Sequence, residues 1–346
     1  MGGVGPTGGD KCRTLLYKDG AAGSVLTTEK VLEIMEIRAT AAPAKLYALL
    51  LRLRPLERGT LMPFAGELVH GAWLKWVRAA SPDVATMLHS GNKRRLFTCS
   101  SLQFPFLQEK MLQAQRENIH LPLDPAKSYT IRMTLLLGDL YPLFYHALMS
   151  RTEKQPFIQI GKQAFLLETV ISTPDDASGW AGFTTFADLV ERARERRFGR
   201  DEPLALEFAS LTAFNWICVS DKTYGNHYAR LPLPRYVFPG LARRWQELAP
   251  PELVHVVQKE RIEAYVEADG AIIDDYQLQA HMVHFADYPQ RGFIGTCCYL
   301  LRGPDEQTTP EAPLTIRQQL WLLGQLAFYT GVGYKPTMGM GQTRPL

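Results

Sequence analysis

An α+β fold built from two tandem units, each running strand, helix, strand, strand, helix, strand, is the architecture the sequence predicts. Three observations carry it. The apolar pattern alternates between a period of two and a period near 3.6 in that order. An arginine-rich polar stretch divides the chain near its middle. The length, 346 residues, suits two domains of ordinary size better than one core.

The first unit opens with KLYALLLRLR (45–54), a strand with Tyr47, Leu49, Leu51 and Leu53 on one face and Arg52 and Arg54 on the other. From 64 to 80 the apolar residues Phe64, Leu68, Val69, Ala72, Trp73, Trp76, Val77 and Ala80 follow helical spacing. That leaves Glu67, His70, Leu74 and Arg78 on another side, so His70 is expected outside the core. Ser81 as N-cap with Pro82 in the first turn starts a short helix that ends near His89, before Gly91. RRLFTCSSL (94–102) and SYTIRMTLLL (128–137) read as strands. DLYPLFYHALMS (139–150) reads as a helix with its proline in the first turn, and AFLLETVIS (164–172) closes the unit as a strand.

The second unit repeats the scheme loosely. A strand at LALEFASLTAF and the LPLP turn lead to a helix through FPGLARRWQEL. Strands follow near 257–267, 275–285 and 291–301, and a last helix, LTIRQQLWLLGQLAFY, carries the stripe Ile316, Leu320, Leu323 and Ala327. This element order is the ferredoxin-like βαββαβ arrangement, also used by RNA-recognition domains of the RRM type. The expected division is a glycine-rich N-terminal extension over 1–40, disordered and with a second methionine at Met35; a first domain over 44–175; a basic linker with a helix over 176–202; and a second domain over 203–346.

Composition narrows the function classes. With 46% hydrophobic and 21% charged residues, wholesale disorder is excluded. A net charge of +3 is compatible with a polyanionic partner but does not establish one. The five cysteines, at 12, 99, 218, 297 and 298, form no CxxC pair, so neither a disulfide framework nor a zinc site is expected. No apolar run is long enough to span a bilayer and no signal peptide is visible, so a cytoplasmic protein without a membrane partner is expected.

The most distinctive segment is GVGYKPTMGMGQ (331–342), directly after the last helix. Its glycines Gly331, Gly333, Gly339 and Gly341 permit positive φ and close backbone approach to a phosphate, with Lys335 adding charge. Pro336 breaks GxGxxG, no GK[ST] is present, and five residues after Gly341 are too few for the helix a nucleotide loop requires. A tight turn leading into a final strand explains the glycines as well as a phosphate cradle does.

LAFYTGVGYKPTMGMGQTR resembles the signature of the Cas-six family of the CRISPR-associated RAMP superfamily, endoribonucleases that release guide RNAs from the repeat transcript. FAGELVHGAWLKWVRAASPDVATMLHSGNKRRLFTCSSL is similar to the family's helix, catalytic histidine and second strand. These two segments are the specific matches, and the stretch between them agrees in architecture alone.

RNA carries its own nucleophile, the 2′-hydroxyl, so cleavage needs alignment, proton transfer and charge stabilisation; no metal and no cofactor are expected. Histidine titrates near neutrality and suits the proton transfers. The resemblance implies that His89, just before GNKRR, is the general acid or base, and that Arg95 stabilises the phosphate, with Lys93 and Arg94 able to share that task. His70 is a second candidate, and Leu74 stands where some members carry a tyrosine. Against these stand plainer roles: His89 as a cation at a helix C-terminus, and His70 as a surface residue. His281 and His284, three apart on a strand, face opposite sides and do not form a metal pair. Phe97, Phe104 and Phe106 fit base stacking or core packing equally.

The expected activity is therefore metal-independent cleavage of CRISPR repeat RNA, giving a 2′,3′-cyclic phosphate. The alternative is a non-catalytic RAMP-type RNA-binding subunit of an interference complex, with other Cas proteins as partners. A nucleotide-utilising enzyme is disfavoured by the failed phosphate motifs.

Overall fold

The computed structural model describes residues 45–89, 96–138, 140–145, 157–174, 177–216, 227–303 and 308–346, and of Ala80, Met87, Leu88, His89, Trp216 and His227 the backbone alone. The extension over 1–40 therefore lies outside the described residues.

The first sheet is built around β1 (Lys45–Pro55), which pairs antiparallel with β5 (Tyr129–Leu135) on one side and β7 (Gln163–Ile171) on the other. β3 (Phe97–Cys99) adds to β5, and β6 (Phe157–Ile160) adds to β7, giving the order β3-β5-β1-β7-β6. The second and third strands of the βαββαβ unit thus lie on one side of the first and the fourth on its other side, the ferredoxin-like order. β8 (Gly182–Thr185) pairs with the start of β1. A small ladder joins β2 (Gly59–Leu61) to β4 (Leu121–Leu123).

α1 (Gly66–Ala80) covers this sheet with Val69, Ala72, Trp73, Trp76 and Val77, all buried against Leu49, Leu51, Leu53, Ile131 and Met133. α2 (Pro82–His89) starts where Ser81 accepts from the backbone, its Oγ from Val84 N at 3.4 Å and its carbonyl from Ala85 N at 3.1 Å. α3 (Gln108–Glu117) has a single buried residue, Ala114, and so little apolar periodicity that the sequence did not reveal it. Residues 140–145 are helical, with Pro142 early in the turn as expected.

The opposite face of β1 feeds a second core. Leu46 and Ala48 pack with Phe186, Leu189, Val190 and Ala193 of α4 (Phe186–Glu195) and with the second sheet's helices. That sheet runs β12-β13-β9-β14, from β9 (Asp201–Thr212), β12 (Ala271–His284), β13 (Pro289–Arg302) and β14 (Thr343–Pro345), again with the ferredoxin-like order. A hairpin of β10 (Phe214–Trp216) and β11 (His227–Ala229) stands beside it. α5 (Pro234–Leu248), the short α6 (Pro251–Val254), α7 (Lys259–Glu267) and α8 (Ile316–Thr330) complete the unit.

One expected element is wrong in type. The strand foreseen over 257–267 is helix α7, because Ile262 and Val266 bury at i, i+4 spacing. Thr315 caps α8 by accepting from Gln318 N, and Gln318 Oε1 accepts from Thr315 N, so the last helix begins with a reciprocal cap. Among the described residues no helix is long and apolar enough to cross a membrane.

Candidate active site and RNA interface

The glycine-rich segment lies between the two halves of the molecule. Gly331, Gly333, Gly339 and Gly341 all take positive φ, at 63°, 84°, 90° and 70°, and Lys335 joins them at 51°. At Gly341 a side chain is excluded twice over, since a Cβ would lie 2.1 Å from the Val332 carbonyl oxygen in a conformation that L-residues avoid. Backbone bonds close the segment on itself and hold it to the end of β9. Val332 N donates to Gly341 O, Tyr334 N to Ala213 O, and Gly341 N to Leu211 O, at 2.8 to 2.9 Å. The N–H groups of Val332, Tyr334 and Gly341 are thereby taken by protein carbonyls. The plainer reading, a turn that delivers the chain into a last strand, is also met, by β14.

The far side of the segment touches the first unit. Ser100 bridges to Gly339, and Gly66 at the start of α1 approaches the Met338 carbonyl so closely that a Cβ there would lie 2.0 Å from the oxygen. Ala65 N, an orphan donor at the entry to α1, donates to Ser101 Oγ at 2.8 Å. The Thr337 carbonyl accepts from His70 Nδ1 and from Cys99 Sγ, each at 2.8 Å.

His70 therefore departs from expectation. It does lie off the apolar stripe of α1, but that side is covered by the C-terminal segment and not by solvent, leaving the residue 6% exposed. Its ring stacks on Phe97 with centroids 5.5 Å apart. A carbonyl can only accept, so Nδ1 carries the proton in this contact, and in neutral imidazole the lone pair falls to Nε2. Glu67, one turn earlier, accepts from Ala286 N at 3.0 Å, so two residues of α1 grip the second unit.

Lys335 is engaged within the protein. Its ammonium donates to the Tyr288 hydroxyl and lies 4.4 Å from the ring centroid of Phe285, 5.0 Å from that of Tyr288 and 5.5 Å from that of Tyr334. Tyr334 in turn packs on Tyr228, centroids 5.1 Å apart. Burial raises the phenol pKa of Tyr288 and Tyr334, and the Tyr334 hydrogen bond raises that of Tyr228, so all three stay protonated at neutral pH. This aromatic surround, assembled from the β12–β13 turn, the β11 strand and the glycine segment, has no one-dimensional signature.

His89 ends α2, whose Val84 and Ala85 are anchored in the first core. The His89 side chain, and Lys93, Arg94 and Arg95, lie outside the described residues, so the structure brings His70, Cys99, Thr337 and the glycine segment together without describing those four side chains. Of the aromatics, Phe97 and Phe104 are core, and Phe106 stacks on Phe104 from the outside with Lys110 4.6 Å from its centroid. His281 Nε2 lies 2.8 Å from Gln115 Oε1, and His284 Nε2 donates to the Arg116 carbonyl at 3.2 Å; both tie β12 to α3.

Comparison with known proteins follows this geometry. Residues 45–191 match the profile described as CRISPR Cas6 N-terminal domain, and residues 206–343 match that of CRISPR-associated endoribonuclease Cas6. A Cas6 product complex is similar at 24% identity and a TM-score of 0.65, over 87% of this chain and 100% of the other. The Thermus thermophilus Cas6 structure is similar at 24% and 0.57, over 88% and 100%. A further Cas6 product complex aligns at 22% and 0.54, over 87% and 99%. No curated protein sequence matches significantly. With both halves matched in order and the two ferredoxin-like sheets joined by the glycine segment, the chain belongs to the Cas6 family of CRISPR-associated endoribonucleases.

Proposed function

We propose that the chain cleaves CRISPR repeat RNA in the precursor transcript by attack of the RNA's own 2′-hydroxyl on the adjacent phosphate, leaving a 2′,3′-cyclic phosphate on the upstream product. His89 exchanges the proton as general acid or base, and Arg95, assisted by Lys93 and Arg94, stabilises the charge that grows on the phosphorane. Because the nucleophile is already held next to the phosphorus in the substrate, the protein supplies orientation and proton transfer, and no metal is required. His70 is a positioning residue in this reading: its Nδ1–H fixes the Thr337 carbonyl and with it the glycine segment.

The observation that carries the proposal is the contact of the glycine segment with α1 and β3, where His70 and Cys99 share one carbonyl. Along the chain, α1 leads into α2 and His89, while the segment contacts the first two turns of α1. That similar Cas6 structures are product complexes supports a repeat strand as the ligand.

The test is a cleavage assay on the repeat RNA in EDTA. Cleavage is expected to persist there, to stop when the nucleotide before the cut carries 2′-deoxyribose, and to fall by about 10²- to 10⁴-fold in His89→Ala while binding survives. Metal-dependent cutting of the deoxy substrate would overturn the mechanism. Binding without cleavage by the wild type would assign the chain an RNA-holding role.

A further inference from the structure

A pocket of about 210 Å³ opens where α4, α8 and β14 meet, walled by Gly179, Arg192, Gln325, Tyr329 and Arg344 with Phe328 beneath. Its chemistry is cationic. Arg192 donates from Nη2 to Thr184 Oγ1 at 3.0 Å and from Nε to the Asp188 carbonyl at 3.3 Å, both neutral acceptors. The Asp188 carboxylate accepts from Thr185 N within the cap of α4. Arg344 bonds Glu207 at 2.5 Å and the Ser178 carbonyl at 2.9 Å, and its guanidinium lies 4.6 Å from the Trp180 centroid.

Beside the pocket lies Arg132, 2% exposed, donating to the carbonyls of Trp180 at 2.9 Å and Phe328 at 2.6 Å. Among the described residues, three guanidiniums thus meet one bonded carboxylate, Glu207. The Tyr329 phenol, pushed up to about 12 chiefly by burial, remains a hydroxyl donor beside Arg192, Arg132 and the Asp188 carboxylate. Planar guanidinium forks and a hydroxyl suit phosphate oxygens. The volume falls below the roughly 300–1,000 Å³ of pockets that enclose whole small molecules, so a phosphate with part of its sugar fits and a nucleotide cofactor does not.

We infer that this pocket seats one backbone phosphate of an RNA strand away from the cut, held by Arg192, Arg344 and Tyr329. The inference rests on RNA being the ligand of the chain. α8 links the pocket to the interface already described, since Gln325 and Tyr329 lie in its last two turns and Gly331 follows directly. A strand on the glycine segment has a second anchor within reach along the same helix.

The experiment is equilibrium binding of repeat RNA, made uncleavable by 2′-deoxyribose at the cut, across a salt titration for wild type, Arg192→Gln and Tyr329→Phe. Arg192→Gln is expected to weaken binding several-fold and make the log–log salt slope shallower by about 0.7, the value of one single-strand phosphate contact. Tyr329→Phe is expected to weaken binding about threefold with the slope kept, because it removes a neutral donor. An unchanged slope and affinity in a folded Arg192→Gln protein overturns the inference, as does loss of binding in Tyr329→Phe with a changed slope. Isothermal titration with inorganic phosphate and uridine monophosphate separates the sources: Arg192-dependent binding of either, with RNA binding unaffected, marks a small-anion site and also overturns it. Because binding is read on uncleavable RNA, an Arg192-dependent slope in a protein that never cuts would remove the cleavage mechanism and leave the pocket standing.

Discussion

Gly66→Ala sets local preference against tertiary packing. Gly66 opens α1, where alanine is the better helix former by at most about 1 kcal/mol, so the isolated helix would gain. In the folded chain the new Cβ would lie 2.0 Å from the Met338 carbonyl oxygen, where real contacts essentially never fall below 3.0 Å. Helix and glycine segment must therefore part by about 1 Å. Both obstructing groups are backbone, so no rotamer relieves the contact. The same movement stretches the His70 and Cys99 bonds to Thr337, now 2.8 Å, beyond the roughly 3.2 Å limit of a good hydrogen bond. Overpacking costs about 1–3 kcal/mol and a weakened buried acceptor about 1–2 more, so the net loss is about 3 kcal/mol after the helix gain. At about 2.1 cal/mol/K of unfolding entropy per residue, a chain of this size shifts by about 1.5 °C per kcal/mol, so the melting midpoint is expected to drop by about 4–5 °C. Cleavage is expected to fall about 100-fold, as for a reacting group displaced by 1 Å. Calorimetry and single-turnover cleavage check both numbers. Wild-type melting together with wild-type cleavage in Gly66→Ala would refute the close docking of α1 on the segment.

Three further outcomes are expected. His70→Phe keeps the ring on Phe97 but loses the Thr337 bond, so cleavage drops, whereas His70→Asn offers an amide donor near the Nδ1 position and recovers most of the rate; equal inactivity of both variants would place the imidazole in the chemistry. Arg132→Met leaves the Trp180 and Phe328 carbonyls without their donor, each worth about 1–3 kcal/mol, so the urea midpoint falls although a charge lowered by burial to about 9 has been removed. The His281 imidazole is depressed to about 4, by burial first and then by Arg116, below the 6.5 of an unfolded histidine. The unfolded chain binds the proton first, so stability is present above pH 6.5 and is lost as pH falls toward 4, by up to about 3 kcal/mol at about 1.4 per unit. His281→Gln is expected to flatten the urea midpoint over that window.

The sequence by itself determined the βαββαβ class, because a period of two along 45–54 and a period near 3.6 along 64–80 dictate which faces bury whatever lies opposite. It determined the left-handed backbone at 331, 333, 339 and 341, since glycine is the residue that adopts it at little cost. It did not reveal α3, whose face carries one buried residue, nor the true type of 257–267, where only Ile262 and Val266 mark the buried face of the helix. What covers His70 was decided by tertiary structure alone: periodicity assigns a residue to a side of a helix but cannot say whether water or another segment meets that side. Thr337 is 267 positions away in the chain, and the Arg192–Arg344 pocket likewise joins residues of α4 and β14 that no spacing rule connects. Contacts of that range depend on how two complete sheets dock, which is a property of their packed surfaces and leaves no period in the sequence.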